Sequence, residues 1–333
     1  MISGLPFDDI RQLLRKLPAP DPVTAGAARA RIRELEPVAR LGPLGDLAVW
    51  FAEWRGRMPP VLARPQVAVF AGTHGVERHG VSGRATGWTA AMVEHCAAGG
   101  AAVNQACLAN DVALKVFDLA LDLPTDDITR EAALDERGCA ATMAFGMEAV
   151  AEGADLVVMS DLGAGNETVA AALLAALFGG GGTDWIGDDE GQGALVAEAA
   201  RAVVDAALAC HSGYLGDPLE ALRRVGGREF AAIAGAILAA RTQNVPVILD
   251  GLPATAAAAV LHAVEPGAIA HCRLAAIEPL IAHRRAAERL SLRPMLSDAP
   301  ARSAGAAGAL AAGMVRAATL CLSGMRPLPS PAG

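Results

Sequence analysis

No uncharged apolar run in these 333 residues reaches the roughly 18–20 needed to cross a bilayer. Residues 168–183 come nearest, and that stretch ends in glycines. The opening "MISGLPFDDIRQLLRKL" carries charge at once and has no apolar signal core, so a soluble, cytoplasmic chain is expected. Basic blocks are missing and the net charge is −8, which argues against nucleic acid as a partner. Cys96, Cys107, Cys139, Cys210, Cys272 and Cys321 form no CxxC pair; they read as reduced and mostly buried, and no metal site is expected. Aromatic residues make up only 4%, while alanine is abundant, a composition suited to close packing of helices on one another and on a sheet.

Residues 5–56 read as helices. In "PFDDIRQLLRKL", Ile10, Leu13, Leu14 and Leu17 share one helical face; "TAGAARARIRELE" and "LGDLAVWFAEWRGR" follow, set apart by prolines. Short continuous apolar runs then alternate with helical stretches: "QVAVFAG" (66–72), "ALKVFDLAL" (113–121), "ADLVVMSDLG" (154–163), "NVPVILDGL" (244–252) and a fifth candidate, "AIAHCRLAA" (268–276). This pattern predicts an α/β fold: a doubly wound, mostly parallel sheet with helices on both faces. The expected division is a large domain over 60–300 carrying the site, and a small helical domain of 1–59 with 301–333.

Ligands in such sheets sit beyond the carboxyl ends of the strands. Those ends deliver "AGTHGVERHGVSG", "SDLGAGNET" and "LDGLPAT". His74 reads equally as a general acid–base group or as a loop residue bonding the backbone. Asp250 reads as a helix cap or as a ligand for a hydroxyl or ring nitrogen. In "SDLGAGNETVAAALLAALFGG", Gly163 and Gly165 permit a tight turn into a helix, the build of an anion site. Glu167 in its first turn favours the helix but repels a phosphate. No lysine follows the glycines, so this is not an NTPase loop.

The segments "GLPFDDIRQLLRKLP", "VAVFAGTHGV", "AAGGAAVNQ", "LKVFDLAL", "CAATMAFGMEAVA", "GGREFAAIAGAILAAR", "PVILDG" and "HRRAAERLSLRP" run nearly end to end through the chain. Together they resemble the nicotinate-nucleotide:dimethylbenzimidazole phosphoribosyltransferases of cobalamin lower-ligand synthesis. The resemblance implies the same α/β fold, a homodimer, and no cofactor or metal. It implies a reaction in which a benzimidazole nitrogen attacks C1′ of nicotinate mononucleotide, nicotinate leaves, and an α-ribazole phosphate forms. By the same resemblance Asp161 is a catalytic carboxylate. Gly163, Gly165, Asn166, Thr168 and Asp250 bind the nucleotide, and His74, Ser82 and Met92 form the base pocket.

The chain departs from the family pattern where the chemistry lies. The C-terminal glutamate that serves as general base falls on Ala304, and a neighbouring arginine on Ala301, beside Arg302. Asp161 replaces a longer glutamate, Glu167 a threonine, Ala91 a glutamine, and Ala39–Arg40 a glycine–serine pair; Thr73 stands where an acid or amide precedes His74. After Trp185, "GDDEGQGALVAEAARAV" has Asp188, Asp189 and Glu190 and no lysine where one is expected to meet the phosphate. These changes leave two expectations open beside ordinary transfer: a catalytically impaired paralogue that pairs with an active homologue or only binds ligand, and a site repurposed for a cationic ligand. Glu278 and Asp298 are the acids near enough in sequence to replace the missing base.

Overall fold

The structure, a computed structural model, describes residues 6–151, 153–188, 193–299 and 304–328. Asp189, Glu190, Ala301 and Arg302 lie outside the described residues. Five parallel strands, β1 (Pro65–Ala71), β2 (Ala113–Asp118), β3 (Leu156–Leu162), β4 (Val247–Leu249) and β5 (Cys272–Leu274), form one sheet in the order β2-β1-β3-β4-β5. This is a doubly wound order, with the direction of winding reversing between β1 and β3.

Alternation along the strands divides the interior in two. Ala68 and Phe70 of β1, Val157 and Met159 of β3, and Val247 and Leu249 of β4 join one core. Val67, Val69 and Ala71, Leu156 and Val158, and Ile248 join the other. Successive side chains of a strand point to opposite faces. Both sets here are apolar, so both faces must be covered by helices, and this is why the strands read as unbroken apolar runs. The helices Pro6–Leu14, Glu136–Ala151, Asn166–Phe178, Arg228–Thr242 and Leu252–Val264 cover the first face. Pro22–Leu35, Pro43–Arg55, Ala102–Asn110 and Ala306–Gly324 cover the second. Helices from the two ends of the chain therefore meet there: Ala306–Gly324 packs on Pro43–Arg55, on Ala102–Asn110, and on β3. Ala306–Gly324 is long and apolar enough to cross a membrane by length and composition, but it packs in this core.

Two local differences from the sequence reading have plain causes. The helical stretch expected between the first two strands, "TAAMVEHCAAGGAAVNQACLAN", forms two helices, Trp88–Ala97 and Ala102–Asn110. Gly99 adopts φ +80° between them, a left-handed conformation that ends a helix without a Cβ clash. Leu252–Val264 has no polar stripe to mark it as helical, because residues 252–261 are all buried.

Candidate active site

A cleft of about 240 Å³ opens beyond the carboxyl ends of β3 and β4. Its walls come from three places: residues 160–167, which end β3 and begin the next helix; Asp250, Gly251 and Pro253 after β4; and Glu278 after β5. Val81, Ser82, Arg84 and Trp88 close one side, and Ala304 also lines it. The sequence-predicted Asp161, Gly163, Gly165, Asn166, Asp250 and Ser82 are thus brought together.

The glycines are demanded by the geometry. Gly165 sits at φ +79°, in the left-handed region, as the cap of the Asn166–Phe178 helix. Gly251 has φ +98° and ψ 163°, a region closed to other residues, and caps Leu252–Val264. A β-carbon on Gly251 would stand 3.4 Å from Asp161 Oδ1 and 3.8 Å from Glu278 Oε2, so this glycine keeps open the space between two carboxylates. Gly251→Ala is expected to cost about 1–3 kcal/mol of stability through backbone strain and to lower turnover at least tenfold. Denaturant unfolding and steady-state kinetics check the two effects; unchanged kinetics would show that the gap is not used.

The floor of the cleft is acidic. Asp161, Glu167, Asp250 and Glu278 all line it. Burial, and then the charges of Glu229, Glu278, Glu167 and Asp250, push the Asp161 carboxyl well above the usual carboxylate range. The Asn166 side-chain amide donates to Asp161 Oδ2. Asp250 is 8% exposed, and its Oδ2 accepts the Gly308 N–H at 2.7 Å. Burial raises its pKa to about 7, the Gly308 amide working against the shift and the Glu278 charge with it. Glu278 is fixed differently: its Oε2 accepts the Leu252 N–H at 2.9 Å, while its own backbone N–H donates to His283 Nδ1 at 3.1 Å. Arg84 is the only cation among the described lining residues, and its guanidinium lies 4.6 Å over the Trp88 ring.

The other sequence-predicted residues lie elsewhere. His74 is 2% exposed and turns away to Glu229, with Nε2 2.5 Å from Oε1. It lines a neighbouring cavity of about 520 Å³ with Thr73, Ser82 and Arg84. Thr168 lines a small pocket beside the cleft, reached also by Glu167. Met92 is half-buried against the second core and lines neither cavity. Asp298 is exposed and outside the cleft lining, so of the two acids near the Ala304 position in sequence only Glu278 reaches it. The reading by sequence did not single out Arg84, Trp88 or Glu229. Arg84 and Trp88 carry a signal only in their place, within the polar loop "SGRATGW" after the first strand.

A sequence profile described as phosphoribosyltransferase matches residues 17–330. The chain belongs to this family. It is 53% identical to the nicotinate-nucleotide–dimethylbenzimidazole phosphoribosyltransferase of Rhizobium etli, over 97% of this chain and 96% of that protein. With the protein of the same name from Rhizobium meliloti the identity is 54%, over the same shares. A crystal structure of the Thermus thermophilus protein of this name superposes with a TM-score of 0.80 at 35% identity, covering 91% of this chain and 96% of that one. A second Thermus thermophilus structure, described as CobT, gives a TM-score of 0.81 at 36% identity, over 90% and 96%. The similarity runs through the whole phosphoribosyltransferase fold, and the cleft just described lies within the matched span.

Proposed function

We propose that the chain transfers the phosphoribosyl group of nicotinate mononucleotide to 5,6-dimethylbenzimidazole, forming α-ribazole phosphate and releasing nicotinate. The observation that carries this reading is an acidic, glycine-walled cleft at the strand ends of a chain matched end to end by relatives of that name. The reaction cleaves a bond from C1′ to a positively charged pyridinium ring, and positive charge develops at C1′ as the ring departs. Carboxylates fixed beneath that position stabilise such charge in a water-poor site. Gly163, Gly165 and Gly251 allow close approach of the nucleotide. The Trp88 ring with Arg84 across it offers a flat wall for an aromatic base.

The impaired-paralogue and cation-binding expectations are not favoured. The first rested on altered site residues, Ala304 above all, and the second on the acidic loop residues. Other carboxylates line the same cleft as Ala304, and relatives more than half identical over nearly the whole chain carry the name of the transferase. A homodimer acting in the cytoplasm on small-molecule substrates is part of the proposal, with sedimentation as the check on assembly. The reaction itself is tested by incubating the pure protein with nicotinate mononucleotide and dimethylbenzimidazole. Chromatography is expected to show nicotinate and α-ribazole phosphate appearing in equal amounts; no product at high protein concentration would overturn the reading.

A further inference from the structure

The transfer creates a proton that must go somewhere. One ring nitrogen of the benzimidazole attacks C1′ with its lone pair, and the C1′–pyridinium bond breaks with its electrons going to the nicotinate nitrogen. The second ring nitrogen, now on a cationic ring, gives up its N–H proton. The acceptor has to be an ionised group lining the cleft, within hydrogen-bond reach of a bound base. Ala304 offers only a methyl group.

The four carboxylates of the cleft are not equivalent. Glu167 stands in the first turn of the Asn166–Phe178 helix, where negative charge serves the helix, and also lines the small pocket beside the cleft. Asp161 takes the Asn166 amide and is pressed toward its neutral form by burial and then by its acidic neighbours. Asp250 is buried, and its Oδ2 is committed to the amide at the start of the Ala306–Gly324 helix. Glu278 is held at the wall by a chain of directed hydrogen bonds. The Leu252 N–H donates to its Oε2. Its backbone N–H donates to His283 Nδ1, which leaves the imidazole proton on Nε2, 3.1 Å from Thr255 Oγ1. The Thr255 hydroxyl in turn donates to the Gly251 carbonyl at 2.9 Å. His283 Nδ1 lies 3.4 Å from Glu278 Oε2, but because it accepts a backbone N–H it has no proton to offer the carboxylate. The imidazole therefore positions Glu278 through its backbone.

We propose that Glu278 is the proton acceptor of this transferase, working from the loop after β5 in the cleft that Ala304 shares. The inference rests on the reaction proposed above. Its test is Glu278→Gln, which can still accept the Leu252 N–H but takes no proton at neutral pH. Turnover with dimethylbenzimidazole is expected to fall by about 10²–10⁴-fold. The acid limb of the pH–rate profile is expected to vanish, and nicotinate mononucleotide affinity by calorimetry to stay within about threefold. Should the Gln variant not fold, Glu278→Asp keeps the charge one methylene further back; it is expected to lose at least tenfold in turnover and to retain the acid limb. A variant that keeps the wild-type rate, or an acid limb that survives in Glu278→Gln and disappears in Asp161→Asn, overturns the inference. Absence of product from the wild-type protein in the same assay would instead overturn the reaction itself, so the two failures are distinguishable.

Discussion

Gly146→Val is expected to destabilise the fold by about 3 kcal/mol or more, and to leave much of the protein insoluble. Gly146 lies in the helix Glu136–Ala151 and faces Arg228–Thr242. A β-carbon on it would overlap the Ala232 carbonyl oxygen and stand 2.5 Å from the carbonyl carbon and 2.7 Å from Cα of that residue. The relation is reciprocal: a β-carbon on Gly235 would overlap the Met143 carbonyl oxygen. Both obstacles are backbone, which cannot rotate aside as a side chain does. The helices can accommodate the substitution only by moving apart, and Phe230, Ile233 and Ile237, all fully buried, would lose their contacts together. Gly146→Ala should show the same effect in smaller measure, and a pair of substitutions at Gly146 and Gly235 should cost less than the sum, since one separation relieves both. Urea unfolding followed by circular dichroism measures it. A Val variant with wild-type stability would mean that the two helices do not approach this closely.

That contact also shows what is and is not legible in the sequence. The strands are legible, because burial on both faces leaves an unmistakable signature, as in "VAVF" and "LVVM". So is the pole of the sheet that carries the site, since Asp161, Gly163 and Asp250 lie at the strand ends. Helices buried all round are less so; nothing in "LPATAAAAVLHAV" has an amphipathic period to read. The side chains that complete the cleft are fixed by long-range geometry. His74 sits after β1 as expected, yet its direction is set by Glu229, 155 residues away, whose carboxylate fits against Gly72 and Gly227. Glu278 enters from the loop after a strand of three residues, and only the fold brings it to the same cleft as Ala304. A substitution pattern read along the chain registers the lost carboxylate and offers Glu278 and Asp298 as replacements, but not which of them stands in the cleft.

Asp250→Asn is expected to stabilise the protein progressively as pH rises, by about 3 kcal/mol between pH ~4.5 and pH ~8 relative to wild type. The Asp250 carboxyl has a folded-state pKa of about 7 against an ordinary 3.8. Between those values the unfolded chain releases a proton that the folded chain retains, so stability present below about pH 4 is lost as pH climbs toward 7, at up to about 1.4 kcal/mol per unit. The wild-type profile alone will not display this, because His271 works in the opposite sense. Its burial lowers its pKa to about 3, and folding there favours higher pH. The difference between variant and wild type cancels His271 and leaves Asp250 together with its coupling to Asp161 and Glu278. Asparagine still accepts the Gly308 N–H through its side-chain oxygen. Parallel profiles across that pH range would contradict the expectation. A gain in stability accompanied by a loss of turnover would show why such a carboxylate is kept: a group that weakens the fold at neutral pH stays in the cleft where positive charge develops, and folding bears the penalty of a site arranged for a charged substrate.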